Sequence, residues 1–354
     1  MEKVVMYLLF VVGVVLIVKG GDWFVDGAVW LAEVTKIPKF IIGATIVSLA
    51  TTLPEIIVST IAAVKGHSIL VSGVGNYIAA SQDKVGMAIG NGIGSVICNT
   101  ALILAVSITF MPIAAERKSF APKGFLLLAA LIALFAFSFG GNFPIAGAVV
   151  LIVIFALYIA ENIRSAKNQP TMDPASGVAE ASSEAAAETA ATDKKSIVLN
   201  ILRIVFGAAC IVFGSQLLVD NGSKIASSWG VSEAVIGVTI VAVGTSLPEL
   251  VTAITSLVKK QSDMSVGNVI GANVIDTTLI LAVCSFVYGG KLPVSAQNIY
   301  LDFPVAILVT LIAVVPTTIC KKFRRWQGIV MLAIYLAYLI LVTVGLDWYL
   351  GLFA

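Results

Sequence analysis

Charge is what this chain has least of. Only 12% of its 354 residues are Asp, Glu, Lys or Arg, about half the roughly 25% carried by soluble domains. With 59% hydrophobic residues and a mean hydropathy of +1.02, such a chain cannot hide its apolar surface in one soluble core. That excludes a soluble protein and requires several membrane spans, with the lipid bilayer as partner. Histidine occurs once, at His67, in what reads as an outer loop, so a histidine metal centre is excluded. The four cysteines, Cys98, Cys210, Cys284 and Cys320, lie within or at the ends of apolar runs and show no CxxC spacing. A disulfide framework and a zinc site are therefore not expected. The net charge of +2 is scattered between apolar runs rather than gathered in a patch, so nucleic acid is not an expected partner. No signal-peptide cleavage pattern is evident, and the first apolar run is expected to be retained.

One stretch lacks large apolar side chains instead. Residues 165–197 are rich in Ala, Ser, Glu and Thr and nearly lack large apolar residues, too few to bury a core, and read as a polar linker. It divides the chain into a first five-helix half, 1–164, and a second, 198–354. Runs of roughly 20 apolar residues, the length of a span, predict ten helices: 4–30, 39–65, 84–110, 122–139, 143–163, 199–225, 233–259, 263–288, 301–320 and 327–349. The fourth, fifth, ninth and tenth are apolar but for single charged residues near their ends and are expected to face lipid or to pack. The other six carry Gly, Ser, Thr and ionisable residues and are expected to form the interior.

The halves repeat each other. Gly20–Gly27 corresponds to Gly214–Gly222, and Gly43-Ala44-Thr45-Ile46-Val47 to Gly237-Val238-Thr239-Ile240-Val241. Ala50-Thr51-Thr52-Leu53-Pro54-Glu55 pairs with Gly244-Thr245-Ser246-Leu247-Pro248-Glu249. Gly90-Asn91-Gly92-Ile93-Gly94-Ser95-Val96-Ile97-Cys98-Asn99 pairs with Gly267-Asn268-Val269-Ile270-Gly271-Ala272-Asn273-Val274-Ile275-Asp276. Five spans is odd, so the second half enters from the opposite side and the repeats are inverted. The expected fold is an all-α polytopic membrane protein of ten transmembrane helices in two inverted-topology repeats, an architecture shared by many secondary transporters. Lys and Arg sort fifteen to five in favour of the side that holds the linker. The expectation is a multi-pass protein of the cell membrane with a cytoplasmic linker and both termini outside.

Glu55 and Glu249 fall inside apolar spans, where an ionisable group costs at least a few kcal/mol and needs a partner, a cation or a proton. Each follows a proline that removes a backbone hydrogen bond one turn back. That frees carbonyls around Val47–Thr51 and Val241–Thr245, while Thr51, Thr52, Thr245 and Ser246 add hydroxyls and Asn99 and Asp276 an amide and a carboxylate. This all-oxygen set suits hard cations. Three carboxylates exceed one divalent ion, so several Na⁺ ions or protons can neutralise the same site in turn, as an antiporter requires.

At these motifs the chain resembles the cation/calcium exchanger superfamily, close to the archaeal and bacterial sodium/calcium exchangers. The resemblance covers nearly everything outside the linker. It implies Ca²⁺ exchanged for Na⁺ by alternating access, no enzyme activity and no cofactor. It implies ligands at Glu55, Thr51, Thr52, Ser95 and Asn99 in the first half and Glu249, Thr245, Ser246 and Asp276 in the second, with backbone carbonyls at Ser48 and Ala242. The chain departs from the family pattern in three places. Ala272 replaces the serine that would match Ser95, so Ala272→Ser is expected to strengthen Na⁺ competition. Val96 stands opposite Asn273. Glu55 and Gly90 are 35 positions apart where Glu249 and Gly267 are 18 apart, which predicts an enlarged outer loop containing Gly73–Tyr77. An H⁺-coupled antiporter for Ca²⁺ or another divalent ion is the alternative. Proton-coupled relatives carry a glutamate inside the Gly-Asn motif, and here there is none. A carboxylate-pair hydrolase and a passive channel explain the duplicated, inverted oxygen site less well. K⁺ as a further ion and the oligomeric state stay open.

Overall fold

The computed structural model describes residues 2–110, 117–168, 194–229, 244 and 246–342. Its helices are α1 (Glu2–Thr35), α2 (Lys39–Thr51), α3 (Leu53–Ser72), α4 (Tyr77–Phe110), α5 (Arg117–Ser138), α6 (Ile145–Asn168), α7 (Lys194–Ser228), α8 (Leu247–Val258), α9 (Ser262–Tyr288), α10 (Asn298–Cys320) and α11 (Arg325–Ile340). Counting α2 and α3 as one broken crossing, these helices contribute to ten crossings, five on each side of the linker. Residues 230–243, where the expected seventh span begins, and most of the linker, residues 169–193, lie outside the described residues.

Glycine decides which helices approach closest. Along α1, Gly13, Gly20 and Gly27 recur every seventh residue, and Gly207 and Gly214 do so along α7. The two helices run antiparallel with Gly13 against Gly214 and Gly20 against Gly207. At the centre, α2 crosses α9 through Gly43, Gly267 and Gly271, where an added Cβ would strike the facing backbone. Close crossing through small residues is how helices associate in lipid, where no hydrophobic force separates them from the solvent.

Burial corrects the expected interior. The most apolar windows of α4 and α9 are 72% and 83% buried, whereas those of α1 and α7 are only 22% buried. The glycines of α1 and α7 serve their mutual contact rather than the core, so these two helices are peripheral. The core is α4 and α9 with the broken crossings around them. The long segment between Glu55 and Gly90 is also not an enlarged loop. α3 runs to Ser72 and α4 starts at Tyr77, so the extra residues lengthen a helical hairpin whose turn holds Gly73 at φ +63° and Gly75 at φ +66°. His67 is therefore helical, with Nδ1 2.8 Å from the Tyr288 carbonyl. Lys123, which the sequence puts at the start of the fourth span, is a buried residue of α5. Its Nζ donates to the Ser119 carbonyl at 2.9 Å and lies 5.2 Å from the Phe40 ring centroid. The linker ends are helical too, in α6 up to Asn168 and α7 from Lys194.

Two short strands join the halves. β1 (Asn142–Pro144) pairs antiparallel with β2 (Lys291–Pro293), Phe143 opposite Leu292. This fixes the α5–α6 and α9–α10 connections on one face of the molecule.

The two ends are unequal. On the side of the α8–α9 turn, Gly21 of α1 lies against Val251 and Thr255 of α8. Lys259 Nζ there sits 2.6 Å from Asp26 Oδ1 and 3.5 Å from Asp22 Oδ1. The repeat matches Lys259 to Lys65 and Asp26 to Asp220. Among the described residues no ion pair joins Lys65 to Asp220. The matched faces differ as well: Thr252 of α8 is fully buried, while Val58, its counterpart on α3, is 46% exposed.

Candidate ion site

The site forms where two crossings break. α2 ends at Thr51, Thr52 sits in the bend with φ −84° and ψ −2°, and α3 begins with Pro54 in its first turn. On the other side Ser246, with φ −90° and ψ 9°, precedes α8, again with proline in the first turn. Proline is well placed there because its missing N–H costs nothing at a helix start. The break puts Glu55 and Glu249 in the first turns of α3 and α8, where the positive end of the helix dipole favours a carboxylate. Broken backbone at membrane depth is tolerated only where it is buried in protein or lines a cavity, and both breaks lie in the buried centre.

α4 and α9 supply the opposite wall, and their regular winding changes at the residues that matter. π-helical turns span Asn99–Leu104 and Asp276–Ile280, each starting on a candidate ligand, and a third spans Gly43–Val47 in α2. Such turns displace the register by one residue and recur at functional sites. Tyr158 of α6 donates to the Ala44 carbonyl inside the third at 2.5 Å.

Glu55, Glu249, Asp276, Asn99, Thr51, Thr52, Ser246, Ser95 and Ser48 are all buried in this region. Thr52 Oγ1 donates to Ser48 O at 2.7 Å and approaches Glu249 Oε1 at 3.3 Å, linking the halves. Ser246 Oγ lies 3.4 Å from Ser95 Oγ, a second link. The Ser48 carbonyl also accepts from the Thr52 N–H at 2.9 Å. Thr51 Oγ1 also reaches the Ser48 carbonyl at 3.3 Å and Asn268 Oδ1 at 3.4 Å, so each of the two hydroxyls faces an oxygen of its own helix and one of the other half and keeps lone pairs for a further partner. Asn91 Nδ2 donates to Ser59 Oγ at 2.9 Å, and Asn268 Nδ2 to Thr252 Oγ1 at 2.8 Å, so both amides tie the broken helices to the wall. Thr245 and Ala242 lie outside the described residues.

The unmatched atoms are the informative ones. Both oxygens of Glu55, both of Asp276, Oε2 of Glu249 and both polar atoms of Asn99 are buried with no hydrogen-bond partner. Buried polar groups are otherwise hydrogen-bonded. Asp302 supplies the internal comparison. It is equally buried in α10 but away from the motifs, and it accepts from Asn298 Nδ2 at 2.8 Å and Tyr338 Oη at 3.1 Å. The fold satisfies a buried carboxylate where it has only structure to serve and leaves oxygens of three others unpaired, Glu55 and Glu249 at the breaks and Asp276 on the facing wall. Those three lie within electrostatic reach of one another. Among the described residues, no three His, Cys, Asp or Glu side chains converge as a ready metal cluster. The buried oxygens gathered here are carboxylate, amide and hydroxyl oxygens. Sequence reasoning passed over Thr100, which accepts from Asn273 Nδ2 at 2.7 Å, and Thr277, whose buried hydroxyl has no partner. The signal was there: threonine follows the candidate ligand in both repeats, Asn99-Thr100 and Asp276-Thr277.

Inverted helical halves around paired broken helices define a multi-pass membrane transport protein of the ion-exchanger class. The chain belongs to the sodium/calcium exchanger protein family, whose sequence profile matches residues 5–163 and 199–344. It is 31% identical over 328 residues to a membrane protein of Methanocaldococcus jannaschii, covering 92% of this chain and 94% of that one. It is 26% identical over 367 residues to the sodium/calcium exchanger MaX1 of Methanosarcina acetivorans, covering 94% and 97%. Among solved structures, the sodium-calcium exchanger NCX_Mj soaked with Na⁺ and Sr²⁺ superposes with a TM-score of 0.74 at 29% identity, covering 95% of this chain and 98% of that one. The family is one of membrane ion exchangers, not of enzymes.

Proposed function

We propose that the chain exchanges Ca²⁺ for Na⁺ across the membrane at one oxygen-lined site near the bilayer midplane, opened to each side in turn. The observation that carries this reading is the set of buried carboxylate oxygens without partners at Glu55, Asp276 and Glu249. A Ca²⁺ ion takes six to eight oxygens in flexible geometry. The proposed ligands are Glu55, Glu249, Asp276, Asn99, Thr51, Thr52, Ser95, Ser246 and Thr245 through side chains, with the carbonyls of Ser48 and Ala242. Ca²⁺ and Na⁺ are cargo. Three acids overcompensate one divalent ion, so sodium ions can replace it without leaving naked charge. The Gly-Asn motifs hold no glutamate, which favours Na⁺ over H⁺ as the coupling ion. The name of MaX1 and the Na⁺, Ca²⁺ and Sr²⁺ soaks of NCX_Mj lend support by similarity.

Alternating access is supported by the unequal ends. Lys259 holds α8 to α1 on one side, and among the described residues its repeat counterpart Lys65 makes no ion pair with α7. The excess of Lys and Arg beside the linker favours a cytoplasmic linker, both termini outside, and the closed end facing the cytoplasm. On this reading residues 1–164 and 198–354 are the two transport halves and 165–197 their tether.

Ca²⁺ uptake into vesicles containing the protein tests the reading, first under an outward Na⁺ gradient and then under a proton gradient. Uptake driven by Na⁺ and indifferent to pH is expected. Uptake driven by protons alone would replace Na⁺ with H⁺, and uptake under neither would overturn the proposal.

A further inference from the structure

The two sides of the site do not carry their serines at matching positions. Where the first repeat has Ser48 the second has Ala242, and where it has Ser95 the second has Ala272. On one side Ser246 Oγ meets Ser95 Oγ at 3.4 Å. The repeat counterpart of that contact joins Thr52 to position 272, where alanine offers no oxygen. Ser48 stands four residues before Thr52, one turn away on the same face of α2. It is fully buried and packs directly over Gly271, the neighbour of Ala272: a Cβ built on Gly271 would fall 2.5 Å from Ser48 Oγ. The Ser48 hydroxyl lies 3.1 Å from the Thr45 carbonyl, to which it donates. Its acceptor lone pairs remain uncommitted.

We propose that the side chain of Ser48 supplies the hydroxyl that position 272 lacks, making Ser48 a specificity-determining ligand for a small hard monovalent cation on the α2–α9 side. This rests on the Na⁺-coupled reading above. A hydroxyl removed from α9 reappears on the helix that crosses it. Each side then keeps two hydroxyl-bearing residues, Ser95 and Ser246 on one, Ser48 and Thr52 on the other. The role is additional to the carbonyl of Ser48, which already accepts from Thr51 and Thr52. It also reverses the expectation for Ala272→Ser: with the hydroxyl already supplied, adding another to the wild-type chain changes little.

The test is the Na⁺ concentration that half-displaces bound radioactive Ca²⁺ from the purified full-length protein. It is measured for wild type, Ser48→Ala, Ala272→Ser, the double variant, and Ser95→Ala as the reference on the opposite side. Ser48→Ala should raise the midpoint about 3- to 10-fold, the worth of one hydroxyl interaction. Adding Ala272→Ser should bring it back to within about twofold of wild type, and Ala272→Ser alone should stay within about twofold. An unchanged thermal midpoint certifies that each variant is folded, and each Na⁺ midpoint is compared with that variant's own Ca²⁺ affinity measured without Na⁺. A midpoint unmoved in Ser48→Ala while Ser95→Ala shifts it overturns the proposal. So does a loss that Ala272→Ser fails to restore, which would make Ser48 a packing residue. If Na⁺ displaces Ca²⁺ from neither wild type nor Ser95→Ala, the Na⁺-coupled reading falls and this proposal falls with it.

Discussion

Glu55 and Glu249 each begin a helix at the point where the chain has given up regular backbone, and neither finds a full set of hydrogen-bond donors. Removing the charge while keeping the shape isolates its role. Glu55→Gln and Glu249→Gln should each lower Ca²⁺ transport by at least about tenfold, equivalent to 1.4 kcal/mol, with an unchanged thermal midpoint. Transport within about twofold of wild type in either variant would remove that residue from the shared site. Asp302→Asn makes a useful contrast. Its carboxylate is hydrogen-bonded by Asn298 and Tyr338, so that variant should transport normally and show any cost in stability alone, about 1–3 kcal/mol for a disturbed buried polar network. The motif residues were legible in the sequence because the chain states them twice, each beside a proline. Thr100 and Thr277 were written in the same doubled form and were still missed, since a threonine inside an apolar run usually bonds back to its own helix. Ser48 was legible only as a backbone carbonyl. Its hydroxyl gains meaning from Gly271 on a different helix, and sequence alone does not give that pairing.

Among the helices, hydropathy located the crossings well and assigned their neighbours poorly. A glycine-rich helix reads as interior, yet α1 and α7 spend their glycines on each other at the periphery. Gly20→Val tests that contact. Its Cβ would fall 2.7 Å from the Cys210 Cβ and 2.8 Å from the Gly207 carbonyl oxygen. Such overpacking typically costs about 1–3 kcal/mol and should appear as a lowered thermal midpoint in detergent, with Ca²⁺ affinity preserved because the ion site is elsewhere. The π-helical turns had no sequence signal, because a one-residue change of register leaves the apolar pattern nearly intact. The long α3–α4 hairpin was misread as a loop since Gly73 and Gly75 sit in its middle, and only the chain's return at Tyr77 shows how short the turn is. The linker makes a separate prediction. Deleting most of residues 170–193, with a few kept as a tether between the halves, should leave uptake intact, because the stretch lacks the apolar content to dock. Lost uptake in a well-folded deletion variant would make it a regulator.

At the scale of the whole molecule, the inverted repeat was predictable from an odd number of spans, whereas the difference between its ends was not. Identical motifs fix what the halves share and are silent on which end is shut. Breaking the ion pair with Lys259→Gln should loosen α1 from the end of α8. Hydrogen exchange should accelerate at residues 255–262, while the outer hairpin at 66–81 stays as in wild type. Equal protection at both places would mean that Gly21 packing, and not charge, holds that end.

The pair at Lys259 also carries a consequence for the resting population. Two acids, Asp22 and Asp26, meet the lysine at the α8–α9 end, but the repeat counterparts of those acids are Gln216 and Asp220, only one acid. Were the molecule to rock over, it would exchange a doubly charged hold for a singly charged one. A half-exposed ion pair is worth about 0.2–1 kcal/mol, which tilts the equilibrium between the two postures by a factor of about 1.4 to 5. Dissolved salt screens such a tilt within about 10 Å at 0.1 M. Raising the salt with a cation the site does not carry should therefore level the two populations, and Gln216→Glu should do the same at low salt. The idle protein would in this way wait with its open mouth toward one compartment before any ion arrives, biased by a single side-chain difference between otherwise matched halves.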